Sequence, residues 1–574
     1  MKYLVNARKF MHQFLEQLKL RIEWIVICIT ALVFFFAVYV NMKAQPENTF
    51  IYSTYFVVCK ILNLDEEDPV PTNLTAILVK ISIVAGVLRV YFKQIGFTLD
   101  NQLARFITNH TIVYGAGDEA IAAALVFSKL SPVVLIVDSA LDEENVSKLR
   151  YAGVIVFDGN GSDFDNLNVC NISKAQILLA FRDQYAQNIA LCKSALKQIG
   201  VDSPLKCLCN VPDINLKHSL TTSDFFSERD LERIKFVNQI ELTARNMIDE
   251  YPPDAAIATY DNVYAKIVLV GLGSIGQSVL FYLAQLGHYR GGHKPQVKVI
   301  DKNASRQYQR LEKRLPSLTE LLDIECIESD INDLTDETVD ELFGKRYSPS
   351  VVYVCTKNEI CNVVSAKKIF SACAKAELTG SYKIVLVDPP GGKLIQEFSQ
   401  DNKNIEVVPL FSNKNTDINS GSNLDVADRL FEYANDQKAQ AVHRDYRNHY
   451  PGTENDKDWE ILEESIRDSN RFQVAHIEIK LRAIGRKVVP LDKSVSPFKF
   501  SDQELAVLSR MEHARWCADK KLNGWKYSAT RDGARKLHHN LVDFDELSEA
   551  DKMKDHQSIE NIPNLLKTFN LMIA

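Results

Sequence analysis

Residues 111–138 read Thr111-Ile-Val-Tyr114, then Gly115-Ala-Gly117-Asp-Glu-Ala120, an Ala/Leu-rich run, and Val133-Val-Leu-Ile-Val137 closed by Asp138. Short apolar runs rich in β-branched residues predict strands, the glycines between predict a tight turn, and the Ala/Leu run predicts a helix. In a G-x-G-x-x-A turn the small residues let backbone approach a pyrophosphate, and the helix that follows aims its first amides at it. An acid about 20 residues further on, here Asp138, is placed for a ribose hydroxyl. Strand, turn, helix, strand and acid in this order predict an α/β domain doubly wound around a parallel sheet.

A third strand, Val154-Ile-Val-Phe157, ends in Asp158-Gly-Asn-Gly-Ser-Asp163, and Asp183-Gln-Tyr-Ala-Gln-Asn188 opens a later helix. On these residues the region 108–240 resembles the nucleotide-binding domain of the regulator-of-potassium-conductance family, cytosolic sensors of potassium channels and transporters. The resemblance implies a Rossmann-like domain that takes NAD(H) or an adenine nucleotide as a regulatory ligand, on Gly115, Gly117, Ala120, Asp138 and Asp158, and gates rather than catalyses. Asp118 and Glu119 depart from the pattern. Two carboxylates at a helix N-terminus compete with an anion for the same positive field, so this pocket is expected to hold a nucleoside end without its phosphates, or nothing.

After a linker carrying Tyr251-Pro-Pro253 the pattern repeats over 262–415. Lys266-Ile-Val-Leu-Val270 leads into Gly271-Leu-Gly273-Ser-Ile-Gly276, and Val297-Lys-Val-Ile300 ends at Asp301. Further strands are expected at 324–327, 351–354 and 383–387. All three glycines are present and Ser274 and Ile275 are neutral, so Gly271, Gly273, Gly276 and Asp301 form the better dinucleotide turn. The plainer alternative is that these glycines serve only the turn and the helix packing of a degenerate fold. Tandem Rossmann units also resemble the paired sensor domains of large potassium channels.

From 423 onward the pattern turns helical. Met511-Glu-His-Ala-Arg-Trp516, Asn523-Gly-Trp525-Lys-Tyr527, Arg531-Asp532, Lys536-Leu-His538 and Asp545-Glu-Leu547 follow in order. This series resembles the ryanodine-receptor repeat, a small helical module, over about residues 455–570; Ser528 stands where the family usually has glycine. Two readings stand side by side. The aromatics fill a small core and Glu512 with Arg515 is a buried pair; or Arg515, Trp516, Trp525, Tyr527, Arg531 and Lys536 line a pocket for a nucleotide-like ligand, with the base on a ring and the phosphate on the basic groups.

The first hundred residues differ in character. Ala7, Met11, Phe14, Leu15 and Leu18 recur at helical spacing among Lys2, Arg8, Lys9, Lys19 and Arg21, which predicts a basic amphipathic helix on a membrane surface. Spans are expected at about 24–40 and 74–91. Basic residues flank the outer ends of the pair, so the positive-inside rule puts both termini in the cytosol, as a multi-pass protein of the cell (inner) membrane. Between them, 50–62 is apolar but too short to cross, and Asp65, Glu66, Glu67 and Asp68 follow. That is the layout of a two-helix pore with a re-entrant segment and an acidic mouth, although no T-x-G-Y-G filter is present. The alternative is an interfacial helix and a solvated loop. Lys80 lies about 9 Å inside the second span and is either part of the pathway or snorkels to the surface.

At 574 residues the chain exceeds one core and three or four units are expected. A net charge of −7 gives no basic footprint for nucleic acid. Eleven cysteines without framework spacing read as reduced thiols, and no metal site is indicated. Together these features predict a nucleotide-sensing membrane protein, channel-like or transport-regulating and homo-oligomeric. Its alternatives are an effector switched by a nucleotide messenger without a selective pore, and a membrane-anchored NAD-dependent oxidoreductase. No catalytic series supports the last.

Overall fold

The computed structural model describes Tyr39, Lys43 and residues 100–574, except 130, 138, 140, 160–161, 200–202, 204, 212–219, 221–224, 262, 331–348, 376–381, 389–393, 401, 410–435, 493 and 497. The expected amphipathic helix, the expected spans apart from Tyr39, the 50–62 helix, Asp65–Asp68, Lys80 and Asp138 therefore lie outside the described residues. Among the described residues no helix is long and apolar enough to cross a membrane.

The first α/β domain runs β1 (His110–Tyr114), α1 (Asp118–Phe127), β2 (Val133–Val137), α2 (Glu143–Tyr151), β3 (Ile155–Asp158), α3 (Asp163–Val169), β4 (Ala175–Ala180), α4 (Tyr185–Gln198), β5 (Lys206–Asn210), α5 (Glu228–Arg233) and β6 (Ile234–Val237). Its strands lie in the order β3-β2-β1-β4-β5-β6. β1 and β2 are buried at every position, as strands covered by helices on both faces must be. Local chemistry starts the helices: the Asp142 carboxylate accepts from Asn145 N–H before α2, and the Ser162 hydroxyl from Asp165 N–H before α3.

The second domain opens with α6 (Gln239–Glu250), in the stretch that the sequence places at a domain edge and linker. It continues through β7 (Lys266–Val270), α7 (Ser274–Leu286), β8 (Gln296–Asp301), α8 (Ala304–Arg314), α9 (Leu318–Leu321), β9 (Asp323–Glu328), β10 (Val351–Val354), α10 (Glu359–Lys375), β11 (Lys383–Asp388), α11 (Leu394–Gln400) and β12 (Ile405–Pro409). The order β12-β11-β10-β7-β8-β9 repeats that of the first sheet, and every pairing is parallel. Both domains are Rossmann-like, with the order reversing beside the first strand, which opens a crevice at the strands' carboxyl ends.

The remaining chain is mainly helical: α12 (Gln437–His449), α13 (Glu464–Ala483), β13 (Val488–Pro490), α14 (Asp502–Leu522), β14 (Lys526–Tyr527), β15 (Leu537–His538), α15 (Glu549–Glu560), α16 (Ile562–Thr568) and β16 (Leu571–Ile573). Ser501 and Glu504 form a capping box at the start of α14. This region shares one apolar core with the second domain. Met247 of α6, Val279 and Leu283 of α7, Ile477 of α13 and Leu508 of α14 belong to the same cluster. Phe281, Tyr282 and Phe472 pack edge-on across the seam at centroid distances of 5.6–6.3 Å. Arg482 adds a bidentate pair with buried Asp254 at 2.9 and 3.0 Å.

By contacts the chain divides into two compact units. One holds the described residues up to Ala116 with Ala124–Leu179 and Ser194–Lys206; the other holds Gly117–Ala123, Ala180–Lys193 and everything from Cys207.

Candidate functional site

The second glycine turn is built for close approach. Gly271 has φ +90°, open only to glycine at low cost, and its N–H donates to Ile300 O at 2.8 Å. Gly276 sits so close beneath it that a Cβ there would stand 2.0 Å from Gly271 O, so strand and helix touch through this glycine. Gly273 caps α7 with no side-chain hydrogen bond, and the space a Cβ would occupy is open for 4 Å. The first amides of α7 therefore face outward without an acid in the first turn.

Asp301 stands at the end of β8, as its place in the sequence predicts, but it also clasps the turn. Its Oδ2 accepts Leu272 N–H at 2.9 Å, and Oδ1 accepts Asn303 N–H and the Gln307 amide, each at 2.9 Å. A carboxylate offers about four acceptor directions, so one remains for a hydroxyl. Gly271, Gly273, Gly276 and Asp301 thus converge on one crevice.

In the first domain Gly115 has φ +143° and Ala120 is fully buried. Asp158 is exposed at the end of β3, and Asp163 behind it accepts from the buried Tyr114 hydroxyl at 2.9 Å. Around Gly117 gather Asp118, Glu119 and Asp183, whose Oδ1 lies 3.0 Å from where a Cβ on Gly117 would stand. The acidity read in the sequence is thus deepened by a third carboxylate from beyond β4, which no local motif announces.

A second candidate lies in the helical region: a cavity of about 370 Å³ walled by α12, α13, α14 and α15. Arg515, Trp516, Trp525 and Arg531 line it. Tyr527 and Lys536 are not among its lining residues: Tyr527 is 60% exposed on β14, and the Lys536 ammonium bonds Asn523 O at 3.0 Å.

The floor of the cavity is a buried charge triad. The Lys480 ammonium donates to Glu512 Oε2 at 2.6 Å, and Arg515 donates through Nε (3.1 Å) and Nη2 (2.7 Å) to the same carboxylate. Burial pushes the Glu512 carboxyl up, but the Arg515 and Lys480 charges outweigh it and hold it at about 2. Asp519 and Asp555 also act on the Arg515 charge, and Arg515 Nη1, fully buried, has no hydrogen-bond partner among the described residues. On the wall, Lys520 lies over the rings of Trp525 (5.4 Å) and Trp516 (5.9 Å), and His538 packs edge-on against Trp516 at 4.9 Å. Such a site suits a planar ring bearing an anionic group. Trp516 and Trp525 are half-buried and line the cavity.

Sequence reasoning does not place Lys480, Lys520 or His538 in this cavity. The available signal is a lysine four residues beyond His476 on the apolar stripe of α13, since a charge on a buried face needs a partner.

His513 is a strut beside the cavity. Its Nε2 lies 2.9 Å from Val542 O and its Nδ1 3.4 Å from Asp555. Burial lowers its pKa, but bonds to Asp555 and Cys517 more than compensate and push it up to about 10.

A TrkA-N domain model matches residues 111–213, and a RyR domain model matches residues 499–574. Comparison with curated proteins gives no match. Among solved structures, the GsuK channel bound to NAD is similar at 13% identity over 86% of this chain and 90% of that one, with TM-score 0.36. GsuK bound to ADP is similar at 15% identity over 68% and 95%, with TM-score 0.34. The GsuK RCK domain is similar at 13% identity over 70% and 85%, with TM-score 0.36. The chain therefore carries a TrkA-N domain and a RyR domain, in that order, with a second Rossmann-like domain between them.

Proposed function

We propose that this chain is a nucleotide sensor that regulates ion movement across the cell membrane, binding NAD(H) or an adenine nucleotide at Gly271–Gly276 and Asp301 and catalysing no reaction. The observation that carries the reading is the open N-terminus of α7: three glycines bring backbone up to it, no side chain caps it, and an acid stands at the end of the next strand. The TrkA-N match supports the resemblance to potassium-conductance regulators drawn from the first domain's sequence. In this reading the spans at 24–40 and 74–91 anchor or form the ion pathway, both termini are cytosolic, and several copies assemble around it. Ligand gates by preferring one of two arrangements of the sensor domains.

Calorimetry of the full chain with NAD, NADH, ATP, ADP and AMP tests the ligand, with Asp301→Ala as the diagnostic variant. Binding that vanishes with Asp301→Ala supports the reading, and no binding by any of the five refutes it. Ion flux through bilayers holding the purified chain tests the transport half. A second reading is favoured by the helical cavity: Arg515, Trp516 and Trp525 line it together, which suits a nucleotide messenger lodged there, with the spans as an effector's anchor. Binding lost with Trp525→Ala and kept with Asp301→Ala selects it.

A further inference from the structure

The two Rossmann-like domains fasten the loop beyond their fourth strand in the same way. In the first, Asn188 Oδ1 accepts Arg182 N–H at 2.8 Å, while its Nδ2 donates to Arg182 O at 2.9 Å and to Asn210 O, at the end of β5, at 3.1 Å. In the second, Asn362 Nδ2 donates to Thr356 O at 2.9 Å and to Val387 O, near the end of β11, at 2.8 Å. Both asparagines are buried, and each stands six residues past the loop residue that it holds. The match aligns Arg182 with Thr356, and so aligns the next residues, Asp183 and Lys357.

Both loops abut their glycine turns. Asp183 Oδ1 lies 3.0 Å from a Cβ built on Gly117, and Thr356 Cγ2 lies 3.2 Å from one built on Gly271. One scaffold thus sets Asp183 against the first turn and sets Lys357 one residue past Thr356, which touches the second. Lys357 is not idle there. Its Nζ pairs at 3.1 Å with Oε1 of Glu119, in the first turn of α1, whose other oxygen lies 3.5 Å from Asn210 Nδ2. Glu119 and Lys357 belong to the same compact unit.

We propose that Lys357 contacts the phosphate of a ligand bound at Gly271–Gly276, and that its ion pair with Glu119 is the latch which that phosphate breaks. The proposal rests on the reading of the second turn as the nucleotide site. Lys357 is 44% exposed, and a half-exposed lysine–carboxylate pair is weakly held. A phosphate offers more charge and more acceptor oxygens, already concentrated by the amides of α7. The flexible lysine stem can follow the stronger anion. Glu119 then loses its counter-charge beside Asp118 and Asp183, so occupancy of the second domain is felt as repulsion at the first domain's turn.

Calorimetry of the full chain with ADP tests this on Lys357→Met, Lys357→Arg, Glu119→Gln and the Glu119→Gln/Lys357→Met double variant. Lys357→Met weakens binding about tenfold or more, and Lys357→Arg restores most of it. Glu119→Gln frees the lysine and tightens binding about two- to fivefold. In the Lys357→Met background Glu119→Gln has no effect. A Glu119→Gln effect that persists without Lys357, or a Lys357→Met variant that binds ADP as wild type does, overturns the proposal. If Asp301→Ala still abolishes binding in that case, the nucleotide site stands and only the latch falls. If wild type binds neither ADP nor NAD, NADH, ATP or AMP, both fall together.

Discussion

Replacing Glu512 with glutamine removes the anion beneath two buried cations while keeping shape and volume. The carboxylate accepts Lys480 at 2.6 Å and Arg515 at 2.7 and 3.1 Å, and lies almost wholly out of water. Breaking a buried pair by deleting one charge typically costs about 3–5 kcal/mol, because the partner stays buried without compensation. Here two partners are left, and the new amide group can turn only one oxygen toward them. At a urea slope of about 2–3 kcal/mol/M the unfolding midpoint should fall by about 1–2 M. Trp459, Trp516 and Trp525 are three of the chain's four tryptophans, so intrinsic fluorescence follows this region in the full-length protein. The control is Lys480→Met: it leaves Glu512 with both Arg515 bonds and a stem of similar length, and should cost only about 1–2 kcal/mol. A Glu512→Gln midpoint within about 0.3 M of wild type, or a Lys480→Met loss as large, would refute the claim that one carboxylate holds this floor together.

Other expectations follow from the glycine turn and from the histidines. Gly273→Ala meets open space at φ −68° and should leave the melting temperature unchanged, yet weaken NAD binding about tenfold by standing where a pyrophosphate approaches. Gly276→Ala drives a methyl into Gly271 O and should lower the melting temperature and binding together; a neutral Gly276→Ala would mean that the strand and helix are not in contact. Burial lowers His288 to about 4 and His476 well below its usual value, so at these two sites the folded chain binds fewer protons than the unfolded one. Their contribution is therefore complete above about pH 6.5 and is lost as pH falls toward 4. Thermal melts at pH 6, 5 and 4.5, where His513 is charged folded or unfolded, should show the decline, and His288→Gln should flatten it; an unchanged slope in that variant assigns the acid sensitivity elsewhere.

The strand-turn-helix signals of both Rossmann-like domains were legible because the glycines and the apolar runs are local. Val133–Val137 and Lys266–Val270 form the strands that their composition predicts. What was not legible came from residues joined only by the fold. Asp183 reaches Gly117 from beyond β4, and Lys357 reaches Glu119 from 238 residues away. The linker reading of the Tyr251 region fails to anticipate α6 because Ala244, Met247 and Ile248 declare themselves core only once α7 is there to receive them. In the helical region the aromatics were visible by type. That Trp516 and Trp525 line the cavity while Tyr527 and Lys536 do not is a matter of tertiary placement, and no spacing rule encodes it.

The apolar cluster that runs from α6 through α7 into α13 and α14 has a practical consequence for handling the protein. A fragment cut between 410 and 435 looks natural from the sequence, but it would bare Phe281 and Tyr282 on one product and Phe472 on the other. Each piece would then offer a sticky aromatic face and tend to self-associate. Nicking the same stretch by protease, by contrast, should leave the two halves co-migrating on a sizing column, held together without a peptide bond.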